Sequence, residues 1–418
     1  MSFVPVLAGN LVFRLAGAAT GLMLTLYVGW INRELYPVSA TTLGLLAGSF
    51  YLVEIVGAPL LGAQSDRRGR RPFLLVGPAL GCFAVQLTGL TTALGLLFLT
   101  RLLEGLVGAA VTPALLGQLA ERTEGDPVLR GRVMSMFEAG TALGLTFGSV
   151  SGSLLWDVLG RPGFFVIAAL YLVSLALFWR TDDRRWATDD DRPPTAANSP
   201  SSVVGRPSSL ITSLQTVVGY RSLLGFMPAW LAVNAVVGLW LTHAIFQMSA
   251  GREMAGQYLV GAFPGRTIAA ILSGYAITFG IGLAGWGYAF RWLGEVTMMR
   301  IALVGMLGAA ASILAMNHSG GPGPLLWAAV GCFGVSVLVE SGFAPGAVSY
   351  LARLSSEMRQ DRGLVMGLYS VVLGLGQLLG GWIGGPFADR WGMDGVLGPT
   401  FGLGLLALWL TLRLKRES

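Results

Sequence analysis

Charged side chains inside apolar stretches are the residues of this sequence with the clearest capacity for chemistry. Arg14, Glu54, Arg101 and Glu104 each interrupt an otherwise apolar run. An ionisable group in such a run is costly, so it normally pairs with an opposite charge or faces a water-filled cavity. A carboxylate there can bind and release a proton, and an arginine can hold an anion or balance a carboxylate. The pattern indicates proton binding or ion recognition in apolar surroundings.

The spacing of Arg101 and Glu104 predicts an ion pair, because residues three apart share a helix face. The pair is either purely structural or functional, with Arg101 influencing the protonation of a nearby acid as helices move. Glu54 leaves a similar choice between a neutral packing acid and a proton carrier. We favour the functional interpretation, with Glu54 and Arg101 as the leading coupling residues.

Further polar residues extend this set of candidates. Glu138 and Glu340 raise the same question as Glu54, and Arg14 is a candidate counter-charge or anion site. In the seventh apolar run, Asn234 and Trp240 are candidates for a substrate cavity, although tryptophans there are commonly packing or interfacial residues. His243, in the same run, is expected near its far end.

The elements that must position these residues are membrane-spanning helices. The 418 residues are 54% hydrophobic and 12% charged, with a mean hydropathy of +0.66. A spanning helix needs about 20 apolar residues, and twelve such runs are present. They lie near residues 8–30, 41–63, 73–92, 94–118, 132–155, 163–180, 222–247, 256–285, 300–317, 324–346, 363–386 and 396–414.

The twelve runs fall into two sets of six. We expect an all-α integral membrane fold with a six-helix bundle over residues 1–180, a cytoplasmic linker over 181–218 and a second six-helix bundle over 219–418. The linker is rich in Asp, Pro and Ser, a composition that cannot bury a core. At an offset of 232, Gly144 matches Gly376 and Asp157 matches Asp389, which indicates duplicated, pseudo-symmetric halves.

The distribution of positive charge predicts the orientation. The net charge of +6 comes largely from Arg in the loops on the side of the two termini, and cytoplasmic loops carry such an excess. Both termini are therefore expected in the cytoplasm. The first run lacks a signal-peptide cleavage site and should remain attached. Nucleic-acid binding is not expected.

A basic loop follows the second run. It reads Gly62-Ala-Gln-Ser-Asp66-Arg67-Arg-Gly69-Arg70-Arg71-Pro72. An ordinary cytoplasmic loop would be basic but would not need both glycines and the aspartate at this spacing. The loop resembles motif A of the major facilitator superfamily, which implies that Asp66 and its arginines latch the two halves in the outward-facing state. The corresponding loop of the second half is degraded, with Arg291 in place of the aspartate.

Two further segments bear on this resemblance. Arg101 is similar to the buried arginine of the family's motif B, which is associated with proton coupling, although Glu104 replaces the usual glutamine. The fifth run is only vaguely similar to the antiporter motif C, because Leu145 follows Gly144 where that motif has proline. This departure argues against drug–proton antiport.

The function predicted is secondary active transport of a small solute by alternating access, proton-coupled and exporting drugs or amphipathic compounds. An importer or facilitator of a small polar or anionic metabolite is the alternative, and a non-transporting receptor or assembly factor is the third. Lys415 is the only lysine, which excludes a Walker A ATPase. No catalytic residue, metal or cofactor is expected. The partners expected are the solute, protons and the lipid of a bacterial inner membrane, with the chain as a monomer.

Overall fold

A computed structural model describes residues 3–123, 127–181, 221–251, 253–261, 263–289, 292–357 and 362–414. These residues form α-helices and one π-helical segment, and the described part contains no strand. The helices of the first half are α1 Val4–Glu34, α2 Ala40–Arg68, α3 Arg71–Leu90, α4 Leu94–Arg122, α5 Pro127–Leu159 and α6 Gly163–Trp179. Those of the second half are α7 Arg221–Leu239, the π-helical turn Trp240–Ala244, α8 Ile245–Ala250, α9 Gly265–Ala289, α10 Glu295–Asn317, α11 Pro324–Glu340, α12 Phe343–Glu357 and α13 Arg362–Arg413.

These helices account for twelve membrane crossings. Ten described stretches are long and apolar enough to cross a membrane, and α6 is a shorter apolar helix. The last stretch, Val371–Arg413, contains two crossings because Gly392 breaks α13 with φ 58° and ψ −130°. The predicted all-α membrane fold is confirmed. Most of the predicted linker, residues 182–220, lies outside the described residues, so the domain boundaries stay predictions.

The helices pack in two sets. In the first, α1 packs against α5 and α6, α2 against α4, and α3 against α4 and α6; in the second, α13 packs against α7 and α10, and α10 against α11. Three seams join the sets, namely α2 with α13, α5 with α9 and α1 with α8. Small residues permit close packing within each set. A Cβ atom at Gly144 of α5, for example, would lie 2.7 Å from the Cβ of Arg14 in α1.

The two halves are joined by hydrogen bonds at the end of the bundle where α1 ends and α2 begins, which we call the far face. Asn32 donates to the Ala250 carbonyl over 3.1 Å, and Ser153 donates to the Gly265 carbonyl over 2.7 Å. Asp389 accepts hydrogen bonds from the backbone amides of Ala40 and Thr41 at the start of α2. The far face is therefore closed.

Two of the far-face contacts are related by the duplication. Asp389 caps α2 at Ala40, and its counterpart Asp157 lies beside Gly265, where α9 begins. A Cβ at Gly265 would lie 2.9 Å from the Cβ of Asp157. The carboxylate and the helix start thus recur in both halves, as pseudo-symmetric bundles require.

Candidate functional site

One face of α4 carries the charged cluster that the sequence predicts. Arg101, Glu104, Gly108 and Thr112 follow each other at intervals of three or four residues, so they line one side of the helix. This face looks toward α1 and α2, which bring Arg14 and Glu54 to it. We call Arg14, Glu54, Arg101 and Glu104 the charge cluster.

Arg101 and Glu104 form the predicted ion pair through Nη1 and Oε2. Both side chains are buried, with residue exposures of 7% and 3%. The guanidinium carbon of Arg101 also lies 4.8 Å from the centre of the Phe50 ring in α2. Arg101 Nε and Glu104 Oε1 have no hydrogen-bond partner among the described residues. The pair is therefore desolvated but not fully satisfied, which is costly in apolar surroundings.

Glu54 projects from α2 onto α4 where the opposing residue is a glycine. A Cβ atom at Gly108 would lie only 3.1 Å from Glu54 Oε1. The positive charges of Arg14 and Arg101 act on this carboxyl group. The structure thus places an acid within electrostatic reach of two arginines inside the first half.

Arg14 connects α1 to the other end of the cluster. Its Nη2 donates a hydrogen bond of 3.1 Å to Thr112 Oγ1 in α4. One turn earlier in α1, Asn10 is buried and donates to Thr141 Oγ1 in α5 over 3.1 Å. Hydrogen bonds from Arg14 and Asn10 therefore link α1 to α4 and α5.

Two tyrosines border the cluster and were not predicted. Tyr171 of α6 is buried, and the charges of Glu104, Arg101 and Arg14 act on it. Tyr51 of α2 lies within the field of Arg101 and Glu54. Thr112 was also missed, although its spacing from Arg101 on one helix face could have indicated it.

The motif A loop forms the turn between α2 and α3. Gly69 ends α2 with a φ of 91°, a conformation that favours glycine. Arg70 Nη1 contacts Glu121 Oε2 over 3.1 Å, and Arg71 lies over the Trp179 ring at 5.4 Å. At Gly62, a Cβ would meet the Pro113 ring at 3.2 Å. The backbones of Asp66 and Arg67 are helical, but their side chains lie outside the described residues, as does Arg291.

Three further predicted residues lie in the second half, away from the charge cluster. Asn234 is buried in α7 and donates to the Trp230 carbonyl of its own helix over 2.8 Å. Trp240 donates to Thr400 Oγ1 over 3.0 Å. Glu340 ends α11, in the second half, where its charge acts on Tyr275. The side chain of Glu138 lies outside the described residues.

One cavity lies away from the charge cluster. It has a volume of about 410 Å³ and opens at the far face between the halves, with Arg33, Trp156 and Asp157 in its lining. The described residues contain no group of three or more His, Cys, Asp or Glu that could hold a metal ion.

Comparisons with known proteins agree on one family. The model of the Major Facilitator Superfamily matches residues 6–337. Multidrug resistance protein 1 of Bacillus subtilis (strain 168) is 23% identical over 86% of this chain and 83% of its own length. Tetracycline resistance protein, class B, of Escherichia coli is 26% identical over 52% of this chain, and the match spans only 58% of that protein.

A solved structure shares the fold along the whole chain. The crystal structure of the nucleoside transporter NupG superposes with a TM-score of 0.70, covering 100% of both chains at 13% sequence identity. At this identity the likeness concerns the fold alone.

Proposed function

This chain is a transporter of the major facilitator superfamily, and from that premise we propose that it exports small amphipathic or cationic compounds in exchange for protons. The drug-resistance names of its relatives support export. The observation that carries proton coupling is the position of Glu54, an acid inside a membrane bundle with Arg14 and Arg101 as its charged neighbours.

The proposed mechanism uses the charge cluster as a proton-sensitive switch. With Glu54 ionised, its negative charge holds the two arginines between α1, α2 and α4. Protonation removes that charge and with it the attraction of Glu54 for Arg14 and Arg101, while Arg101 stays paired with Glu104 and Arg14 with Thr112. The resulting shift of α2 is transmitted to α13, because these two helices form a seam between the halves.

Orientation and latching belong to the same proposal. With both termini in the cytoplasm of a bacterial inner membrane, the closed far face is the periplasmic side. Motif A, with Asp66 and Arg67, lies at the opposite end of α2 and would latch the halves there when the far face opens. The protein acts as a monomer in this scheme, since each chain contains both halves.

A second candidate is an importer or facilitator of a small polar or anionic metabolite. Arg14 and Arg101 favour it, because a guanidinium binds carboxylate or phosphate groups well. The fold shared with a nucleoside transporter is compatible with such a solute. A receptor or assembly factor that moves nothing is the third candidate.

The first test compares accumulation of a fluorescent cation in cells expressing wild type, Glu54→Gln or Glu253→Gln. Glu253, an exposed acid between α8 and α9, provides the control. We expect wild type and Glu253→Gln to lower accumulation, and a protonophore to abolish this effect. In Glu54→Gln we expect export to fall at least about tenfold, because the intramembrane proton site is lost.

Export by Glu54→Gln at the wild-type rate, with equal protein level, would overturn the role of Glu54. If wild type leaves the cation unchanged but raises uptake of anionic or polar solutes, the second candidate is correct. If purified protein neither binds nor moves any of these solutes, the third is favoured.

A further inference from the structure

His243 occupies an unusual position in the second half. It lies in the π-helical turn Trp240–Ala244, which joins α7 to α8, and its exposed fraction is 0%. Single π-helical turns are rare and occur often at functional sites. The ring therefore lies at a local distortion of the helix and has no contact with solvent.

Only one nitrogen of this ring is satisfied. Nε2 lies 2.7 Å from the Gly381 carbonyl oxygen in α13. A carbonyl can only accept a hydrogen bond, so Nε2 carries the hydrogen and Nδ1 carries a lone pair. Nδ1 is buried and has no hydrogen-bond partner among the described residues. In the neutral ring, the basic nitrogen Nδ1 therefore carries no proton and has no hydrogen-bond partner among the described residues.

The ring lies where the two halves touch. A Cβ atom at Gly44 of α2, in the first half, would lie 3.0 Å from His243 Cε1 and would overlap the Gly381 carbonyl. A Cβ at Gly384 of α13 would lie 2.6 Å from His243 Cδ2. One turn further along the same seam, Trp382 Nε1 is also buried without an acceptor among the described residues. The seam is tightly packed but its polar groups are incompletely paired.

The charged group that acts on His243 is Asp389. Its oxygens already accept hydrogen bonds from the Ala40 and Thr41 amides and from the Thr41 hydroxyl, so they are engaged with α2. The part of α2 that packs at this level, from Ala40 to Phe50, contains no ionisable residue, and neither does α8. Arg390 follows Asp389 and lies over the Trp391 ring at 5.4 Å.

We propose that Nδ1 of His243 is a proton-binding site and that its protonation opens the far face. In the closed arrangement, protonation of Nδ1 would create an N–H with no acceptor. It would also bury a positive charge in the seam between the halves. Separation of α2 from α13 would expose the ring to water, which supplies the acceptor. The open arrangement therefore binds the proton more tightly, and by linkage acid favours opening.

This inference concerns the conformation of the chain and does not rest on the export proposal. Its site lies in the second half, whereas Glu54 lies in the first. The chain contains two histidines, so His318 offers a matched control. His318 lies at the far face, where its Nε2 contacts Asp394 within the same half over 3.0 Å.

The test measures far-face opening by electron–electron distances between two spin labels. The labels are attached at Leu35→Cys in the first half and Leu325→Cys in the second. Both leucines are accessible in wild type, with exposed fractions of 49% and 55%. The two native cysteines, Cys82 and Cys332, are first replaced by serine. Between about pH 8 and about pH 5, on either side of the ordinary histidine pKa of about 6.5, we expect a longer-distance population to grow. The growth should not exceed about tenfold per pH unit, the limit for one proton.

Because protonation of Glu54 is itself proposed to move α2, the variants are compared in a Glu54→Gln background. There we expect the pH response to be lost in His243→Gln and His243→Asn, since neither side chain titrates, and to be retained in His318→Gln. A wild-type distance distribution that does not change with pH, or a response retained by both His243 variants, would overturn the proposal. As a second measurement, NMR of protein labelled with ¹⁵N-histidine reports the ring state of His243 directly. A His243 ring that stays neutral while the distances change would also overturn it.

Discussion

At the residue scale, two positive and two negative side chains meet along one face of α4, which explains how they are tolerated. Arg101 and Glu104 pair within the helix, and Arg14 and Glu54 reach the same face from α1 and α2. The formal charges of the four residues cancel, so no net charge is buried. Changing one member leaves the others unbalanced, which is costly in apolar surroundings.

The Arg101–Glu104 pair gives a prediction about stability. Breaking a buried pair costs about 3–5 kcal/mol, whereas replacing both partners by apolar residues is often neutral. We therefore expect Arg101→Met and Glu104→Leu each to lower the thermal midpoint of the purified protein strongly, and the double variant to recover most of the loss. Thermal unfolding in detergent micelles measures this.

The Arg70–Glu121 pair provides the control, because Glu121 is 68% exposed and ion pairs open to solvent contribute at most about 1 kcal/mol. Glu121→Leu should change the midpoint little. A double Arg101→Met, Glu104→Leu variant that is less stable than either single variant would contradict the account.

The sequence predicted part of this cluster and not the rest. The Arg101–Glu104 pair follows from helical spacing alone, and the structure has it. The contact of Arg14 with Thr112, and of Glu54 with Gly108, depends on how α1 and α2 pack on α4. Local spacing within one helix contains no information about those neighbours, so the sequence left the partner of each residue open.

At the element scale, the α2–α13 seam depends on the absence of side chains at Gly44. There a Cβ would overlap the Gly381 carbonyl, so any larger residue must push the two helices apart. The cap that Asp389 provides to α2 lies at the same end of the seam. Close approach and capping together hold the far face closed.

We expect Gly44→Leu to shift the protein toward an arrangement with an open far face. The spin-label pair at positions 35 and 325 should show a longer distance at neutral pH, without acid. Gly274→Leu in α9 is the matched control, because a Cβ there meets nothing within 4 Å. An unchanged distance in Gly44→Leu would show that the seam is not the far-face closure.

The helices themselves were largely predictable, apart from the start of α9 and the π-helical turn in the seventh run. The eighth apolar run was expected from residue 256, but α9 begins at Gly265. Gly256 and Gly261 adopt positive φ angles of 81° and 120°, and Pro264 disfavours helix at Phe263. The π-helical turn at His243 could not be predicted, because the apolar pattern of the seventh run is continuous through it.

At the scale of the whole molecule, the sequence predicted twelve crossings and two related halves. Both can be read directly from the lengths of the apolar runs and from the residues that repeat at a constant offset. It did not predict which face is closed. The open and closed arrangements of a transporter keep the same packing within each half and differ in the contacts between the halves. The closed far face, with Asp389 on α2 and Asp157 beside α9, therefore comes from the structure alone.

The central claim is that this transporter exchanges protons for its solute through Glu54. The most direct measurement reconstitutes the protein in liposomes that enclose a pH-sensitive dye and imposes a gradient of the fluorescent cation. We predict that wild type and Glu253→Gln move protons opposite to the cation, and that Glu54→Gln moves none. Cation movement by wild type without proton movement, or proton exchange retained by Glu54→Gln, would contradict the account.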